Sequence, residues 1–270
     1  MPDPAIAFAG LGHAFRPGQW VFRRCTASIG RGRVVALLGA NGRGKTTLLR
    51  LLLGVLRPTE GRLALHGRAA FVPQTFQLGF DYAVLDVVLM GRARQVGLLA
   101  QPSARDKAAA LQALDHFGLG HLAARPFHEL SGGQRQLVMF ARAVVSEADI
   151  LILDEPASAL DLRNQAVILD WIRRLSRRRG LTVLFSTHHP QHALEVADDA
   201  LLMLERDGLA FGPVDEVLSE ANLLALYGIP LRRVAFDYGG ETLQTLAAIL
   251  RPAGNAPAGD PAPHDRSLSS

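Results

Sequence analysis

Short apolar runs alternate with stretches of helical periodicity along this chain. The run from Ile150 to Leu153 is apolar throughout, which is typical of a strand buried on both faces of a parallel sheet. A second buried strand is predicted from Thr182 to Phe185. Between the two, Ser158 to Asp161 opens a long helix that we expect to reach about Arg178. This alternation predicts an α/β fold.

The flanking regions carry shorter patterns. At the N-terminus we expect short strands between Ala5 and Ile29, around a turn at Arg16 to Gly18. The other patterned segments predict strands at Arg62 to Leu65, Ala69 to Val72 and near Ala200 to Leu204, a helix from Val214 to about Leu218, and an amphipathic segment around Glu241 to Leu250.

The middle of the chain reads as helical, because the β-branched strand signal fades between about Phe80 and Glu129. Helical spacing is found at Val84 to Met90 and Ala108 to Phe117, and a further helix is predicted from Arg135 to about Val145. We therefore expect a main domain over residues 1–230 with a helical subdomain inserted at about 80–145, and a C-terminal extension over 231–251. The composition of the tail, residues 252–270, predicts disorder.

A glycine-rich loop carries the most specific chemical signal. Gly39 to Thr47 fits the phosphate-loop pattern of two glycines enclosing four residues, followed by lysine and a hydroxyl residue. The loop joins a predicted strand to a predicted helix, so backbone N–H groups can converge on phosphate oxygens at the helix N-terminus. Lys45 would reach the outer phosphates and Thr46 would ligate magnesium. Lysine is rare here, with two among 29 basic residues, so a chance match has a probability on the order of 10⁻³.

A second anion site is predicted at the start of the helix that follows Leu130. Ser131 is a natural N-cap, and Gly132 and Gly133 leave the first N–H groups of that helix uncovered. By itself such a cap is common, so it indicates an anion site only together with the residues that accompany it.

Acidic residues and a histidine follow the two buried strands. Asp154 and Glu155 end the first strand, and His188 follows the second. In an open parallel sheet, ligands bind outside the carboxyl ends of the strands, so these side chains should face a nucleotide held by the loop. Asp154 can hold magnesium through water, Glu155 can deprotonate the attacking water, and His188 could reach the γ-phosphate.

Two further residues are candidates for contact with the nucleotide. Phe15 precedes the N-terminal turn and could stack on an adenine ring, although a core phenylalanine is an almost equal alternative. Gln74 ends a short strand beside the predicted nucleotide site.

Composition excludes several classes of function. Cys25 is the single cysteine, so no internal disulfide and no cysteine-built zinc site can form. No apolar run approaches the roughly 20 residues of a membrane helix, and the N-terminus lacks a signal-peptide pattern. The net charge of +4 is modest, and we read Arg177 to Arg179 as a solvated helix face, so we expect no nucleic-acid partner.

Taken together, these motifs resemble the ATP-binding cassette (ABC) ATPase family over roughly residues 5 to 230. The phosphate loop, Gln74, Leu130 to Gln134, Ile150 to Glu155, Ser158 to Asp161 and His188 occur in the order that the family shows. The Leu-Ser-Gly-Gly-Gln element is close to diagnostic. The resemblance implies an α/β fold with a P-loop NTPase (RecA-like) core, an N-terminal antiparallel β subdomain and an inserted α-helical subdomain.

The resemblance also assigns roles to residues. It makes Phe15 the adenine-stacking position, Gln74 the magnesium and water sensor, Glu155 the catalytic base and His188 the γ-phosphate switch, with Thr46, Gln74 and Asp154 around Mg²⁺. The remaining ATP-binding positions that it implies are Gly39, Asn41, Gly42, Gly44, Lys45, Thr46, Thr47, Ser131, Gly132, Gly133, Gln134 and Asp161.

Members of the family work as head-to-tail pairs. Each ATP would lie between the phosphate loop of one chain and Ser131 to Gly133 of a second copy. The segments Phe80 to Arg92 and Ser186 to Leu194 are similar to those of importer ATPases for metal chelates, and the passage from Gly61 to Gln74 looks most like the molybdate type. The resemblance implies a cytoplasmic subunit on the inner face of the membrane, docked on permease subunits and served indirectly by a substrate-binding protein.

Two alternatives stay open at this point. A soluble cassette ATPase acting on ribosomes or DNA would share every catalytic residue, but such proteins typically carry two cassettes or long insertions. A nucleotide-binding module without hydrolysis is disfavoured because Glu155 is present.

Overall fold

The structure is a computed structural model that describes residues 3–74, 76, 80–96, 100–158, 160–204 and 208–250. The tail predicted to be disordered, 252–270, lies outside the described residues. The strands are β1 (Ile6–Arg16), β2 (Gln19–Ile29), β3 (Val34–Gly39), β4 (Glu60–Leu65), β5 (Ala69–Val72), β6 (Ile150–Leu153), β7 (Thr182–Thr187), β8 (Asp199–Met203), β9 (Leu209–Pro213), β10 (Leu231–Tyr238) and β11 (Glu241–Ala248). The helices are α1 (Lys45–Leu52), α2 (Val84–Leu89), α3 (Ala93–Val96), α4 (Ala104–His116), α5 (Gly132–Val145), α6 (Leu162–Arg179), α7 (Pro190–Val196), α8 (Val214–Val217) and α9 (Glu220–Tyr227).

A central sheet organises the described residues, with its six strands in the order β5-β6-β7-β3-β8-β9. All neighbouring pairs are parallel except β8 and β9, which pair antiparallel at the edge. The strands β3, β6 and β7 are buried at every position, as expected for a sheet covered on both faces. The predicted α/β class, including the N-terminal antiparallel sheet, is confirmed.

Each face of the central sheet covers its own apolar core, because side chains alternate along a strand. On β3, Val34, Ala36 and Leu38 belong to the core that also contains side chains of α5, α6 and α7, whereas Val35 and Leu37 belong to the core that contains side chains of α1 and the N-terminal sheet. The site that follows β3 is therefore fixed by packing from both sides.

The N-terminal sheet pairs its strands in the order β2-β1-β4. The prediction of short strands was wrong in length, since β1 and β2 each extend over 11 residues. The register of β1 shifts at several points against β2 and once against β4, next to Gly10 and Gly12. Bulges of this kind let one bent strand continue through residues that break the simple alternation.

The helices between α2 and α5 pack around one buried guanidinium. Arg92 forms a short ion pair with Asp106 and a second with Glu147 at 3.1 Å, and it donates to the carbonyl of Val145. Hydrogen bonds from Ser103 and Arg92 lower the pKa of Asp106 to about 2. This network joins the start of α4 to the end of α5.

Several element boundaries differ from the prediction for identifiable reasons. The helix predicted from Arg135 begins at Gly132, because Ser131 and Gln134 form a reciprocal capping box. The amphipathic segment near Glu241 is strand β11, which forms a two-stranded antiparallel sheet with β10. Cross-strand pairing with β10 gives this segment its structure, and pairing partners are not visible in a local pattern.

A close backbone contact holds the bulge of β1 against β4. Gly61 has φ 82°, and a Cβ there would lie 2.3 Å from the Gly10 carbonyl oxygen. We predict that Gly61→Ala lowers the free energy of unfolding by about 3 kcal/mol, combining left-handed strain with overpacking. Gly54 is the matched control, because it has φ 70° and open space around it. Urea unfolding should give Gly54→Ala a loss of only about 1 kcal/mol; equal losses would contradict the steric explanation.

Candidate functional site

One cavity of about 730 Å³ opens at the carboxyl ends of the central strands. Its walls come from the N-terminal sheet, the phosphate loop and the loops after β5, β6 and β7. The residues that line it are Phe15, Val21, Asn41, Gly42, Gly44, Lys45, Thr46, Thr47, Gln74, Glu155, Ser158 and His188. Of the predicted site residues, all those from the phosphate loop except Gly39 line this cavity, together with Phe15, Gln74, Glu155 and His188.

The phosphate loop has the backbone geometry that anion binding needs. Gly42 and Gly44 have φ 81° and 92°, values that L side chains rarely adopt. Gly44 is also packed, since a Cβ there would lie 2.6 Å from Val21 Cγ1. It occupies the N-cap of α1 without a side-chain cap, so the first N–H groups of α1 face the cavity uncapped.

Lys45 extends along the floor of the cavity and is only 7% exposed. Its Nζ donates to the Gly39 carbonyl at 2.7 Å and lies 3.8 Å from Glu155 Oε1. Burial lowers the pKa of Lys45, and the nearby carboxylates of Glu155 and Asp154 oppose that shift. A partly desolvated ammonium held in this way is well placed to gain from a phosphate oxygen.

Hard oxygen donors meet beside the loop. Thr46 Oγ1 donates to Asp154 Oδ2 at 3.2 Å, and Asp154 is 7% exposed. Mg²⁺ prefers one or two protein oxygens of this type together with substrate phosphates. Among the residues that the structure describes, no cluster of three or more His, Cys, Asp or Glu could hold a metal. Thr46 and Asp154 supply two oxygen donors of the type that Mg²⁺ takes beside a nucleotide.

Glu155 is the centre of a polar cluster at the cavity wall. His188 Nδ1 lies 3.1 Å from Glu155 Oε2, and Gln74 Nε2 donates to the same oxygen at 3.3 Å. Gln74 also donates to Ser158 Oγ at 3.4 Å. Three loops that are remote in sequence thus bring a carboxylate, an imidazole and an amide within hydrogen-bonding distance.

The backbone of Glu155 is strained. Its φ is 46°, in the left-handed region that costs a residue with a side chain about 1–2 kcal/mol. The strained turn directs the carboxylate toward Lys45 and His188. Non-glycine residues held in this region cluster at functional sites, which agrees with the position of Glu155.

Phe15 is 63% exposed and lines the cavity, so the alternative of a core phenylalanine is wrong. Its ring meets His13 edge to face, with 4.9 Å between the ring centroids. The open face is available for a planar ligand.

The second predicted anion site does not line the cavity. Ser131 and Gly132 are exposed at the start of α5, and the Ser131 hydroxyl accepts from the Gln134 N–H at 3.3 Å. Gly133 lies against Asn164, 3.2 Å from where its Cβ would be. Asp161 is the N-cap of α6 and accepts from the Asn164 N–H at 2.8 Å. Within one chain, these residues form a separate surface.

Sequence reasoning missed three residues at the site. Val21 supports the phosphate loop, and Ser158 hydrogen bonds to Gln74. Ser186 is fully buried behind Asp154 and bonds to its carboxylate at 2.7 Å. The available signal for Ser186 was a hydroxyl at the end of a buried strand next to the acidic strand.

A hydrogen bond from α9 holds the loop that carries His188. Tyr227 of α9 donates its hydroxyl to the His188 carbonyl at 3.1 Å, and burial raises the pKa of Tyr227. His192 lies in α7, the helix that follows this loop. Burial lowers the pKa of His192 to about 4, and the neighbouring His189 and His188 lower it by a smaller amount. His192 is therefore neutral at pH 7.

In sequence, the chain is similar to ATP-binding proteins of transport systems. Residues 22–158 match the sequence model of the ABC transporter family. The chain is 42% identical over 229 residues to the molybdate import ATP-binding protein MolC of Haemophilus influenzae, covering 85% of this chain and 90% of that protein. It is 33% identical to a probable iron chelatin transport ATP-binding protein of Helicobacter pylori, covering 80% and 91% of the two chains.

A solved structure agrees with these relatives. The fold superposes with a TM-score of 0.86 and 38% identity on a chain from an inward-facing ABC transporter, itself only proposed to be of the metal-chelate type. The match covers 92% of this chain and 98% of that chain. In the part of the chain that the structure describes, no helix has the length and apolar character needed to cross a membrane.

The strain at Glu155 can be measured. We predict that Glu155→Gly is more stable than Glu155→Ala by about 1 kcal/mol, because glycine adopts φ 46° without steric cost. Glu216, exposed in helix α8, is the control. There the order should reverse, with glycine about 1 kcal/mol less stable than alanine. Thermal or urea unfolding of the four variants checks both signs, and glycine being worse at both positions would show that Glu155 is unstrained.

Proposed function

Because this chain belongs to the ABC transporter family, and is an ATPase of that family, we propose that it is the subunit that binds and hydrolyses ATP to power uptake through a membrane permease. The family assignment rests on the match over residues 22–158 and on relatives that cover most of the chain. The observation that carries the proposal is one cavity lined jointly by the phosphate loop, Gln74, Glu155 and His188.

In this proposal the phosphate loop binds the triphosphate. Uncapped N–H groups at the start of α1 and the ammonium of Lys45 neutralise its charge. Phe15 stacks on the adenine ring from the exposed end of the cavity. Thr46 and Asp154 would hold Mg²⁺, with Gln74 beside them, and the cation would supply charge neutralisation at the phosphates.

Hydrolysis is assigned to the cluster around Glu155. Its carboxylate, aimed into the cavity, orients a water molecule and accepts its proton as the water attacks the γ-phosphate. His188 lies 3.1 Å from this carboxylate, so it can bind the γ-phosphate and the carboxylate in the same arrangement. Gln74 contacts Glu155 and can report occupancy of the site to the neighbouring helices.

A second copy of the chain completes the site. The capping box at the start of α5 pairs the N–H groups of Ser131 and Gln134, which leaves those of Gly132 and Gly133 for a ligand, and none of these residues lines the cavity of its own chain. Two chains arranged head to tail would bring this surface, with Gln134 and Asp161 nearby, onto the phosphates held by the partner's loop. ATP would then join the dimer and its hydrolysis would release it.

The helical subdomain is the proposed docking site for the permease. Phe80 is 77% exposed and Tyr82 is 36% exposed, and their rings meet edge to face with centroids 6.3 Å apart. These aromatic groups follow Gln74 closely in sequence, so a partner seated on them is coupled to the nucleotide site. Docking of this kind would hold the chain at the cytoplasmic face of the membrane, with a substrate-binding protein acting on the far side.

The cargo class follows from the relatives rather than from the site. The MolC relative is named for molybdate import and the Helicobacter relative for iron chelatin transport. We propose an oxyanion or metal-chelate cargo of this group, with molybdate as the first candidate. Uptake of labelled molybdate into vesicles that contain the chain and its permease tests this assignment.

The role of Glu155 as the general base can be tested by substitution. Glu155→Gln should lower the rate of ATP hydrolysis by at least ~10²-fold, the usual contribution of a general base, because the amide cannot accept the proton. ATP binding should persist, and light scattering should show an ATP-bound dimer that no longer dissociates. Lys45→Ala is the contrasting variant, since it should weaken nucleotide binding itself. Near-normal phosphate release by Glu155→Gln would contradict the assigned role.

The docking surface can also be tested by substitution. Phe80→Ser should reduce co-purification with the co-expressed permease, because the variant removes an exposed aromatic group from the proposed interface. Tyr238→Ser is the matched control, since Tyr238 is 73% exposed but lies on strand β10 outside the helical subdomain. If both variants retain the permease equally well, the docking surface lies elsewhere.

A further inference from the structure

A buried hydroxyl lies between the two acidic residues of the site. Ser186 is near the end of β7 and has no exposed surface. The parallel register of β6 and β7 pairs Leu153 with Phe185, so the next residues along, Asp154 and Ser186, are neighbours. Because β7 lies between β6 and β3 in the sheet, Ser186 stands between the acidic strand and the phosphate-loop strand.

The Ser186 hydroxyl makes two hydrogen bonds that use it as donor and as acceptor. It donates to Asp154 Oδ1 at 2.7 Å. It accepts from the backbone N–H of Glu155 at 2.8 Å. A serine hydroxyl has one proton and two lone pairs, so it can make both bonds at once.

The first bond fixes the direction of the Asp154 carboxylate. With Oδ1 held by Ser186, the other oxygen, Oδ2, faces Thr46 Oγ1 at 3.2 Å. Thr46 and Asp154 are the pair that fits Mg²⁺. The hydrogen bond from Ser186 to Asp154 does not involve Thr46. Asp154 therefore keeps its orientation when Thr46 Oγ1 leaves Asp154 for another partner.

The second bond supports the strained turn at Glu155. With φ at 46°, Glu155 leaves the strand ladder, and its N–H reaches a side chain instead of a carbonyl of β7. A buried N–H without a partner costs free energy, so Ser186 supplies the acceptor that this turn requires. The direction of the Glu155 carboxylate depends on that turn.

We propose that Ser186 is a positioning residue for ATP hydrolysis, whose single buried hydroxyl holds the Asp154 carboxylate and the Glu155 backbone in one fixed arrangement. The inference rests on the proposed function, because it takes Asp154 as the residue facing Mg²⁺ and Glu155 as the base. Nothing in its two bonds involves the nucleotide, so its contribution is made before the nucleotide binds.

The test compares Ser186→Ala with Ser186→Thr in the purified full-length chain. Ser186→Ala removes both bonds, and we expect kcat to fall about 10- to 100-fold, the usual effect of losing a group that orients a metal ligand. Ser186→Thr keeps the hydroxyl and should recover most of the rate.

Nucleotide binding gives a readout that does not depend on turnover. Calorimetric titration with the non-hydrolysable analogue AMP-PNP should show that Ser186→Ala weakens binding in the presence of Mg²⁺ by about 10-fold. EDTA removes the Mg²⁺ that Asp154 would contact. In EDTA, the affinity of Ser186→Ala for AMP-PNP should therefore stay within about 2-fold of that of the unaltered chain. A purely structural role would weaken binding equally in both conditions.

Ser176→Ala is the matched control for loss of a buried serine hydroxyl. Ser176 is 6% exposed and donates to the Gly32 carbonyl at 2.8 Å, away from the cavity. It should lose thermal stability but retain kcat. If Ser186→Ala does not fold, Ser186→Cys fills the same space with a much weaker hydrogen-bonding group and should also lose at least about 5-fold in kcat.

The outcomes separate this inference from the proposed function. If the unaltered chain hydrolyses ATP and Glu155→Gln does not, but Ser186→Ala or Ser186→Cys retains full kcat, the role of Ser186 is overturned and the function stands. Equal weakening of AMP-PNP binding with Mg²⁺ and with EDTA would also overturn it. If the unaltered chain hydrolyses no ATP, the proposed function itself fails.

Discussion

The parallel pairing of β6, β7 and β3 is the constraint on which the site depends. Parallel strands end at the same edge of a sheet, so the phosphate loop, the acidic pair and His188 meet there, although 108 residues separate Thr46 from Asp154 and 33 separate Glu155 from His188. The register brings Asp154 beside Ser186, and Asp154 also accepts a hydrogen bond from Thr46 at the start of α1. A slip of one residue would turn every side chain of a strand to the other face and separate these groups.

The same arrangement places energetically unfavourable features together. Lys45 is buried with its pKa lowered, Glu155 has a left-handed backbone, and two glycines of the loop have positive φ. The burial of Lys45 and the backbone of Glu155 cost stability, and all three features point a charge or an N–H group into the cavity. The two apolar cores on either face of the central sheet offset these costs, because β3 contributes alternate side chains to both. Rigid packing thus maintains a site that would otherwise relax.

Much of the fold and most of the cavity could be predicted from local patterns. The phosphate loop, the strand Ile150–Leu153 and its acidic end are contiguous signals with a direct chemical reason, and the structure has them where the pattern indicates. The length of β1 and β2, the pairing of β10 with β11 and the role of Ser186 could not be predicted in this way. Each depends on a partner that is remote in sequence, and a bulge, a cross-strand pair or a buried hydroxyl acquires its meaning only when that partner is known.

The C-terminal elements illustrate how such remote contacts bear on the site. Tyr227 of α9 donates to the His188 carbonyl, while Gln191 of α7, three residues after His188, accepts from the Leu246 N–H of β11. Both contacts reach the short segment that follows β7 and carries the imidazole facing Glu155. An isolated two-stranded sheet is marginally stable, so β10 and β11 depend on this contact with α7 as much as α7 depends on them. The segment that carries His188 is therefore held by Glu155 at the imidazole and by Tyr227 at the backbone carbonyl, while β11 contacts the helix α7 that follows it.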